Sequence, residues 1–143
     1  MKIEQSYGAV VFKDNKILIE HMVQGHISIP KGHVEGDETP TQTALREIKE
    51  ETNLDVTVDT KYEYKTSYYP AKDVLKHVSF FIAFYKSGSL IPQKEEVNCL
   101  EFVDQDKAAD LVTFKSDKEA ILGAIEYKNK NYICPRGINA KKQ

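Results

Sequence analysis

Cysteine is scarce in this chain, with only Cys99 and Cys134 among 143 residues. The two are far apart and lack C-x-x-C spacing. That excludes a disulfide framework and gives no sign of zinc. Two reduced thiols in a cytoplasmic protein are expected instead. Charge of one sign is lacking as well. A net charge of −2 argues against broad binding to nucleic acid or anionic membrane, and leaves room for a local basic pocket. Long apolar runs are missing too. The most apolar stretch, residues 78–85, is far below the ~20 residues that a membrane-spanning helix needs. The chain does not open with a cationic start and a long apolar run, so no signal peptide is expected. No repeat or low-complexity linker divides it.

What remains is of ordinary globular composition, 41% hydrophobic and 29% charged. One domain over residues 1–143 is expected, closed by a frayed cationic tail at 136–143. Apolar runs at 8–12 and 17–22 flank Lys13-Asp14-Asn15-Lys16, which is hairpin chemistry. Residues 27–30 read as short and extended, because Pro30 disfavours helix at Ile29. Residues 54–69, 77–86 and 99–103 read as strands, with a turn at Pro70-Ala71-Lys72-Asp73. Two segments read as helices. The first spans 39–52, with Pro40 in its first turn, a mainly apolar stripe of Ala44, Leu45, Ile48 and Thr52, and Asn53 as its stop. The second spans 117–127, with Ala120, Ile121, Ala124 and Ile125 on its buried side. Strands in mixed order with two helices predict an α/β sandwich, one helix on each side of a sheet.

The chemistry is concentrated in the first helix. Glu47, Glu50 and Glu51 stand at i, i+3 and i+4 and share one face. Like-charged neighbours at this spacing cost roughly 0.2–0.5 kcal/mol per pair in a bare helix. Arg46 and Lys49 neutralise only part of that. A solvated acidic face is one explanation. A divalent cation on that face is the other, since hard cations prefer carboxylate oxygen and Mg²⁺ bridges to phosphate.

The surrounding residues decide between these readings. The segment PKGHVEGDETPTQTALREIKEETNL resembles the Nudix box, a glycine, five residues, a glutamate, seven residues, then R-E-U-x-E-E-x-G-U, where U is a bulky aliphatic. Gly32, Glu38, Arg46, Glu47, Ile48, Glu50, Glu51 and Leu54 all fall in register. Asn53 stands where the family has glycine, a mild change, because asparagine is the next choice for a left-handed helix end. The resemblance implies a Nudix-type α/β/α sandwich with a mixed β-sheet between helices. It also implies hydrolysis of a phosphoric anhydride with Mg²⁺ or Mn²⁺ as cofactor. Glu47, Glu50 and Glu51 would supply metal carboxylates, the Gly32 carbonyl a further ligand, Arg46 the ion pairs that orient them, and Glu38 a brace for the helix. Bound metal polarises phosphate and helps form hydroxide from water.

Outside the box, Pro30-Lys31-Gly32-His33-Val34-Glu35 is similar to the corresponding loop of asymmetrical diadenosine tetraphosphate hydrolases. The Tyr68-Tyr69-Pro70-Ala71-Lys72 stretch, Lys76, and Phe114-Lys115 leading into Ala120-Ile121-Leu122 extend that likeness over most of residues 6–133. It implies contacts from Lys31, His33 and Lys76 to polyphosphate. It implies that Tyr69, with Tyr68 as the alternative, stacks on adenine, and that Phe114 forms either the opposite wall or a core aromatic. Glu96, with Glu95 as the alternative, would hold metal or act as general base. The leading expectation is cleavage of diadenosine tetraphosphate to ATP and AMP. Other Nudix substrates (ADP-ribose, nucleoside triphosphates, RNA 5′-triphosphate ends) and a noncatalytic nucleotide-binding module are the alternatives. The partner expected is a small-molecule nucleotide, with no membrane, no stable nucleic-acid partner, and a monomer or homodimer.

Overall fold

The computed structural model describes residues 1–132. The tail expected at 136–143 and Cys134 lie outside the described residues. The chain runs β1 (Lys2–Lys13), β2 (Lys16–Met22), β3 (Ile27–Ser28), β4 (Lys31–His33), α1 (Pro40–Thr52), β5 (Asp55–Ala71), β6 (Val74–Ser87), β7 (Val97–Asp104), α2 (Gln105–Leu111) and α3 (Lys115–Asn131).

The expected hairpin joins β1 to β2, and Asp14 takes the left-handed conformation its turn needs, with φ 55°. The sheet is mixed. Its order is β3-β2-β1-β6-β5, with β4 added to β1 and β7 to β2. Among the described residues β1 and β6 run parallel and the other pairs are antiparallel.

Both faces of the sheet are covered, which explains why Gly8-Ala9-Val10-Val11-Phe12 reads as a continuous apolar run rather than an alternation. Ala9, Val11 and Leu18 pack with Ala44 and Ile48 of α1. Their neighbours Val10, Phe12, Ile17 and Ile19 face the other way, onto Ala108 of α2 and Ala120, Ile121 and Ala124 of α3. Each of these large side chains is essentially out of solvent, worth roughly 1.5–3 kcal/mol apiece for Val, Leu, Ile or Phe. The helices thus flank the sheet as expected.

Several details differ from expectation: β1 begins at Lys2 and not at residue 8, and the short β4 adds a strand at Lys31–His33. A third helix, α2, lies before α3; with only Ala108 buried over its seven residues it carries no apolar stripe to announce it. The turn after β5 falls at Lys72-Asp73, with Asp73 at φ 60°, rather than across Pro70 and Ala71. Pro70 is tolerated inside β5 because that strand is at the sheet edge and its register shifts between Tyr68 and Ala71. In α1, Leu45 is 38% exposed, while Thr43 and Glu51 join Ala44, Ile48 and Thr52 in burial. The buried face of α1 is therefore rotated toward a carboxylate.

Candidate active site

The loop from β4 into α1 is built to hold one arginine. Thr39 caps the helix through a reciprocal pair: its hydroxyl accepts from Gln42 N–H at 3.1 Å, and Gln42 Oε1 accepts from Thr39 N–H at 2.9 Å. Pro40 fills the first helical position. At the other end, Asn53 adopts φ 68°, the left-handed geometry that a helix stop requires, and its side chain donates to Ser89 O at 3.0 Å. The departure from glycine at this position therefore carries its own anchor.

Arg46 is the hub. Nε donates to Glu38 Oε2 at 2.6 Å and Nη2 to Glu38 Oε1 at 3.0 Å, a bidentate fork. Nη2 also reaches His33 O at 2.8 Å, and Nη1 reaches Glu47 at 2.9 Å and Glu50 at 3.1 Å. The guanidinium thus ties β4, the loop and α1 into one unit. Glu38 accepts further bonds from Glu35 N–H and the Thr43 hydroxyl. Chiefly through the bond from Arg46, its carboxyl is held down at about 2. Arg46 is correspondingly pushed above its ordinary value, first by the Glu38 bond.

Glycine is required at residue 32. A Cβ there would lie 1.9 Å from the Glu47 carboxyl carbon. The β4 backbone at Gly32 and the Glu47 carboxylate are therefore in direct apposition.

The centre of the site contains a residue that no sequence motif singles out. Glu20, on β2, is only 1% exposed. Strand alternation puts it on the same face as Leu18, toward α1. It meets Glu51, which is itself 3% exposed, and Glu47 is a further carboxylate neighbour of Glu51. Burial, then the neighbouring carboxylates, push Glu51 far up; burial likewise raises Glu20, opposed by its close approach to Glu51 and by the charge of Lys31. Glu20 Oε2 and Glu51 Oε1 are buried with no hydrogen-bond partner among the described residues. The one signal for Glu20 in the sequence was an acid inside the apolar run 17–22.

These carboxylates fit a hard divalent cation. Buried, mutually repelling oxygens with unfilled acceptor capacity are the donor type that Mg²⁺ and Mn²⁺ select. Among the described residues no three His, Cys, Asp or Glu side chains already form a closed ligand set. The fit rests on the orphaned oxygens and on the Gly32–Glu47 apposition. Glu50, with a side chain 49% exposed, sits at the solvent edge and is held by Arg46. Glu96 lies in the 88–96 loop, which crosses the end of α1 through Gln93 N–H to Glu51 O at 3.3 Å. The charge of Glu96 is felt at Glu20. Glu95 is exposed in the same turn.

Beside the carboxylates opens a cavity of 550 Å³, lined by Lys31, Tyr64, Thr66, Tyr68, Phe114 and Asp117 among others. Tyr64, Thr66 and Tyr68 come from one face of β5. Tyr68, not Tyr69, is on the wall; Tyr69 is 64% exposed and outside the lining. Phe114 is half exposed, packs on His26 and forms the opposite side. Lys31 joins the two regions, since its charge acts on Glu20 and on Asp117. Lys76 pairs with Tyr68 across the sheet, and its pKa is lowered by partial burial and then by the charge of Lys31. His33 points away, toward Glu4 at 3.6 Å, in a shallow groove with Lys2 and Val34. No described helix is long and apolar enough to cross a membrane.

Comparison with known proteins agrees with this geometry. The chain is 35% identical over 100 residues, 68% of its length and 67% of the relative's, to the pig (Sus scrofa) asymmetrical bis(5′-nucleosyl)-tetraphosphatase. A probable DHNTP pyrophosphohydrolase of Lactococcus lactis is 47% identical over 53 residues, a stretch spanning 36% of this chain and about a third (32%) of that protein. In structure, the chain is similar to a C. elegans Ap4A hydrolase in a binary complex, with TM-score 0.76 at 20% identity over 87% of this chain and 96% of that one. It is also similar to the E. coli dihydroneopterin triphosphate pyrophosphohydrolase, with TM-score 0.68 at 20% identity over 85% and 95%. Both likenesses show the fold. The NUDIX domain family matches residues 3–122, nearly the whole described chain, and the protein belongs to the Nudix hydrolases.

Proposed function

We propose that this Nudix hydrolase cleaves dinucleoside tetraphosphates, with diadenosine tetraphosphate split by water into ATP and AMP, using Mg²⁺ or Mn²⁺. The observation that supports this best is the continuity of the site. A buried carboxylate cluster adjoins an aromatic-walled cavity, and Lys31 lies between them. The pig tetraphosphatase, which matches over two thirds of both chains, supports the same substrate class.

In this reading the chain's residues divide the work. Glu47, Glu50, Glu51 and the Gly32 carbonyl hold the metal, and Glu20 supports them from β2. Bound metal polarises the phosphate and acidifies water. Arg46 keeps the glutamates in place. Glu96 accepts the proton of the attacking water as general base, or joins the metal ligands. Lys31 and Lys76 offset the polyphosphate charge, and His33, turned toward Glu4, stands apart from that path. The base stacks between Phe114 and Tyr68, which occupies the wall expected of Tyr69. The new bond joins water oxygen to phosphorus, and the anhydride oxygen leaves with the ATP half.

The match to the Lactococcus protein favours a second reading, pyrophosphate release from a nucleoside or pterin triphosphate. Product analysis separates the two. ATP plus AMP from diadenosine tetraphosphate supports the first. Pyrophosphate from triphosphates, with dinucleotides left intact, sinks it. Glu51→Gln is expected to lower kcat at least 100-fold with the circular dichroism spectrum unchanged. An unaltered rate would remove Glu51 from the metal site.

A further inference from the structure

The cavity contains a carboxylate that the hydrolytic machinery does not use. Asp117 sits in the first turn of α3 and is only 4% exposed, yet it lines the cavity. Its Oδ2 is buried with no hydrogen-bond donor among the described residues. Lys31, on the same wall, attracts it without closing an ion pair among the described residues. Leaving a buried acceptor unsatisfied costs about 1–3 kcal/mol of desolvation. Such a group in a binding cavity marks a donor that arrives with the ligand.

We propose that Asp117 reads the edge of the bound ring and selects a 2-amino-4-oxopyrimidine, the edge shared by guanine and by pterins, over adenine. The proposal rests on the reading of this cavity as the base site given above and narrows its substrate: among the dinucleoside tetraphosphates and the nucleoside or pterin triphosphates named there, those carrying a guanine or pterin ring are favoured over diadenosine tetraphosphate. A carboxylate offers two acceptors side by side. The 2-amino-4-oxo edge offers two donors side by side, a ring N–H and an exocyclic NH₂, so both bonds form together. Adenine offers one donor, its 6-amino group, next to the bare N1 lone pair. Against a carboxylate, that pairing gains one bond and sets two acceptors against each other. Burial, opposed by Lys31, pushes Asp117 up to about 6, so the carboxylate is still mainly ionised at neutral pH and accepts both bonds. Tyr68 and Phe114 then supply stacking that any flat ring accepts, which leaves discrimination to the edge.

Asparagine removes the distinction. Its amide presents one acceptor and one donor, which suits adenine N6 and N7 and equally the oxo oxygen and adjacent ring N–H of a 2-amino-4-oxo ring. The test compares binding by calorimetry, with Mg²⁺ present, in a Glu51→Gln background that suppresses turnover. The ligands are GTP, dihydroneopterin triphosphate and ATP, and the dinucleotides Gp4G and Ap4A. With Asp117 present, each 2-amino-4-oxo ligand is expected to bind about 10- to 100-fold more tightly than its adenine counterpart. Asp117→Asn should bring that ratio to unity or below, and Asp117→Ala should abolish preference in either direction. Tighter binding of GTP than of dihydroneopterin triphosphate, or the reverse, identifies which ring source fits. Equal affinity for GTP, dihydroneopterin triphosphate and ATP with Asp117 in place overturns the proposal, as does a ratio that Asp117→Asn leaves unchanged. Because binding is read without catalysis, these outcomes are separate from failure of the hydrolytic reading, which product analysis on the unmodified enzyme reports.

Discussion

At the scale of single residues, the site concentrates like charge where water is scarce. Glu20 and Glu47 both stand beside Glu51, and among the described residues Arg46 and Lys31 offset their charge. Asp117 is a separate instance with a stability consequence that can be measured. Its carboxyl is raised from the ordinary 3.8 to about 6, first by burial. The folded state therefore holds a proton that the unfolded chain has released. The stabilisation from this group is complete below pH 3.8 and lost as pH rises to about 6. An asparagine side chain in its place has no proton to lose. Asp117→Asn should thus have little effect near pH 3.5 and should raise stability progressively toward pH 7, by at most ~3 kcal/mol. Urea unfolding of both proteins across that range checks the sign; a gain that shrinks as pH rises would contradict the assignment.

At the scale of elements, α1 is both a packing unit and a ligand carrier. One side, Ala44 and Ile48, enters the core, and the turn beside it delivers Glu47 and Glu51 to the sheet. The angle of the helix is set at its ends, by the Thr39–Gln42 capping box and by Asn53. Thr39→Ala removes the hydroxyl that accepts from Gln42 N–H. The expected loss is about 1 kcal/mol of global stability. Thermal unfolding reads that loss directly, and no change in Tm would mean that the loop, not the cap, fixes the helix start. Most of α1 was legible from sequence because capping and box residues are local signals. The rotation of its buried face was not, because Leu45 and Glu51 exchange exposure according to what the sheet presents.

At the scale of the whole molecule, the site is assembled from segments distant in the chain. Glu20 comes from β2, Gly32 from β4, the box glutamates from α1 and Glu96 from the loop before β7. A cation held by carboxylates from separate elements cross-links them, and it has no equivalent site in the unfolded chain. Mg²⁺ at 100 times its dissociation constant should therefore stabilise the fold by about 2.7 kcal/mol. Scanning calorimetry with and without Mg²⁺, or with chelator, measures the shift. Glu51→Gln should blunt it, and a Tm indifferent to Mg²⁺ in the unmodified protein would argue against a metal bound across these elements.

The sequence by itself determined the catalytic family and the sandwich. The box has fixed spacing along one helix, and apolar runs buried on both faces announce a covered sheet. Local chemistry also foretold the hairpin at Asp14 and the left-handed stop at Asn53. Tertiary structure decided the rest. Glu20 is 31 residues from Glu51, and strand pairing brings them together; nothing in the run 17–22 states which face the acid takes until β1 and α1 are in place. Tyr68 rather than Tyr69 lines the cavity because the register of an edge strand chooses the side. Asp117 reads in sequence as an ordinary first-turn acid. Only packing of α3 against the sheet buries it in the cavity without a donor, since burial depends on neighbours that the local sequence does not name.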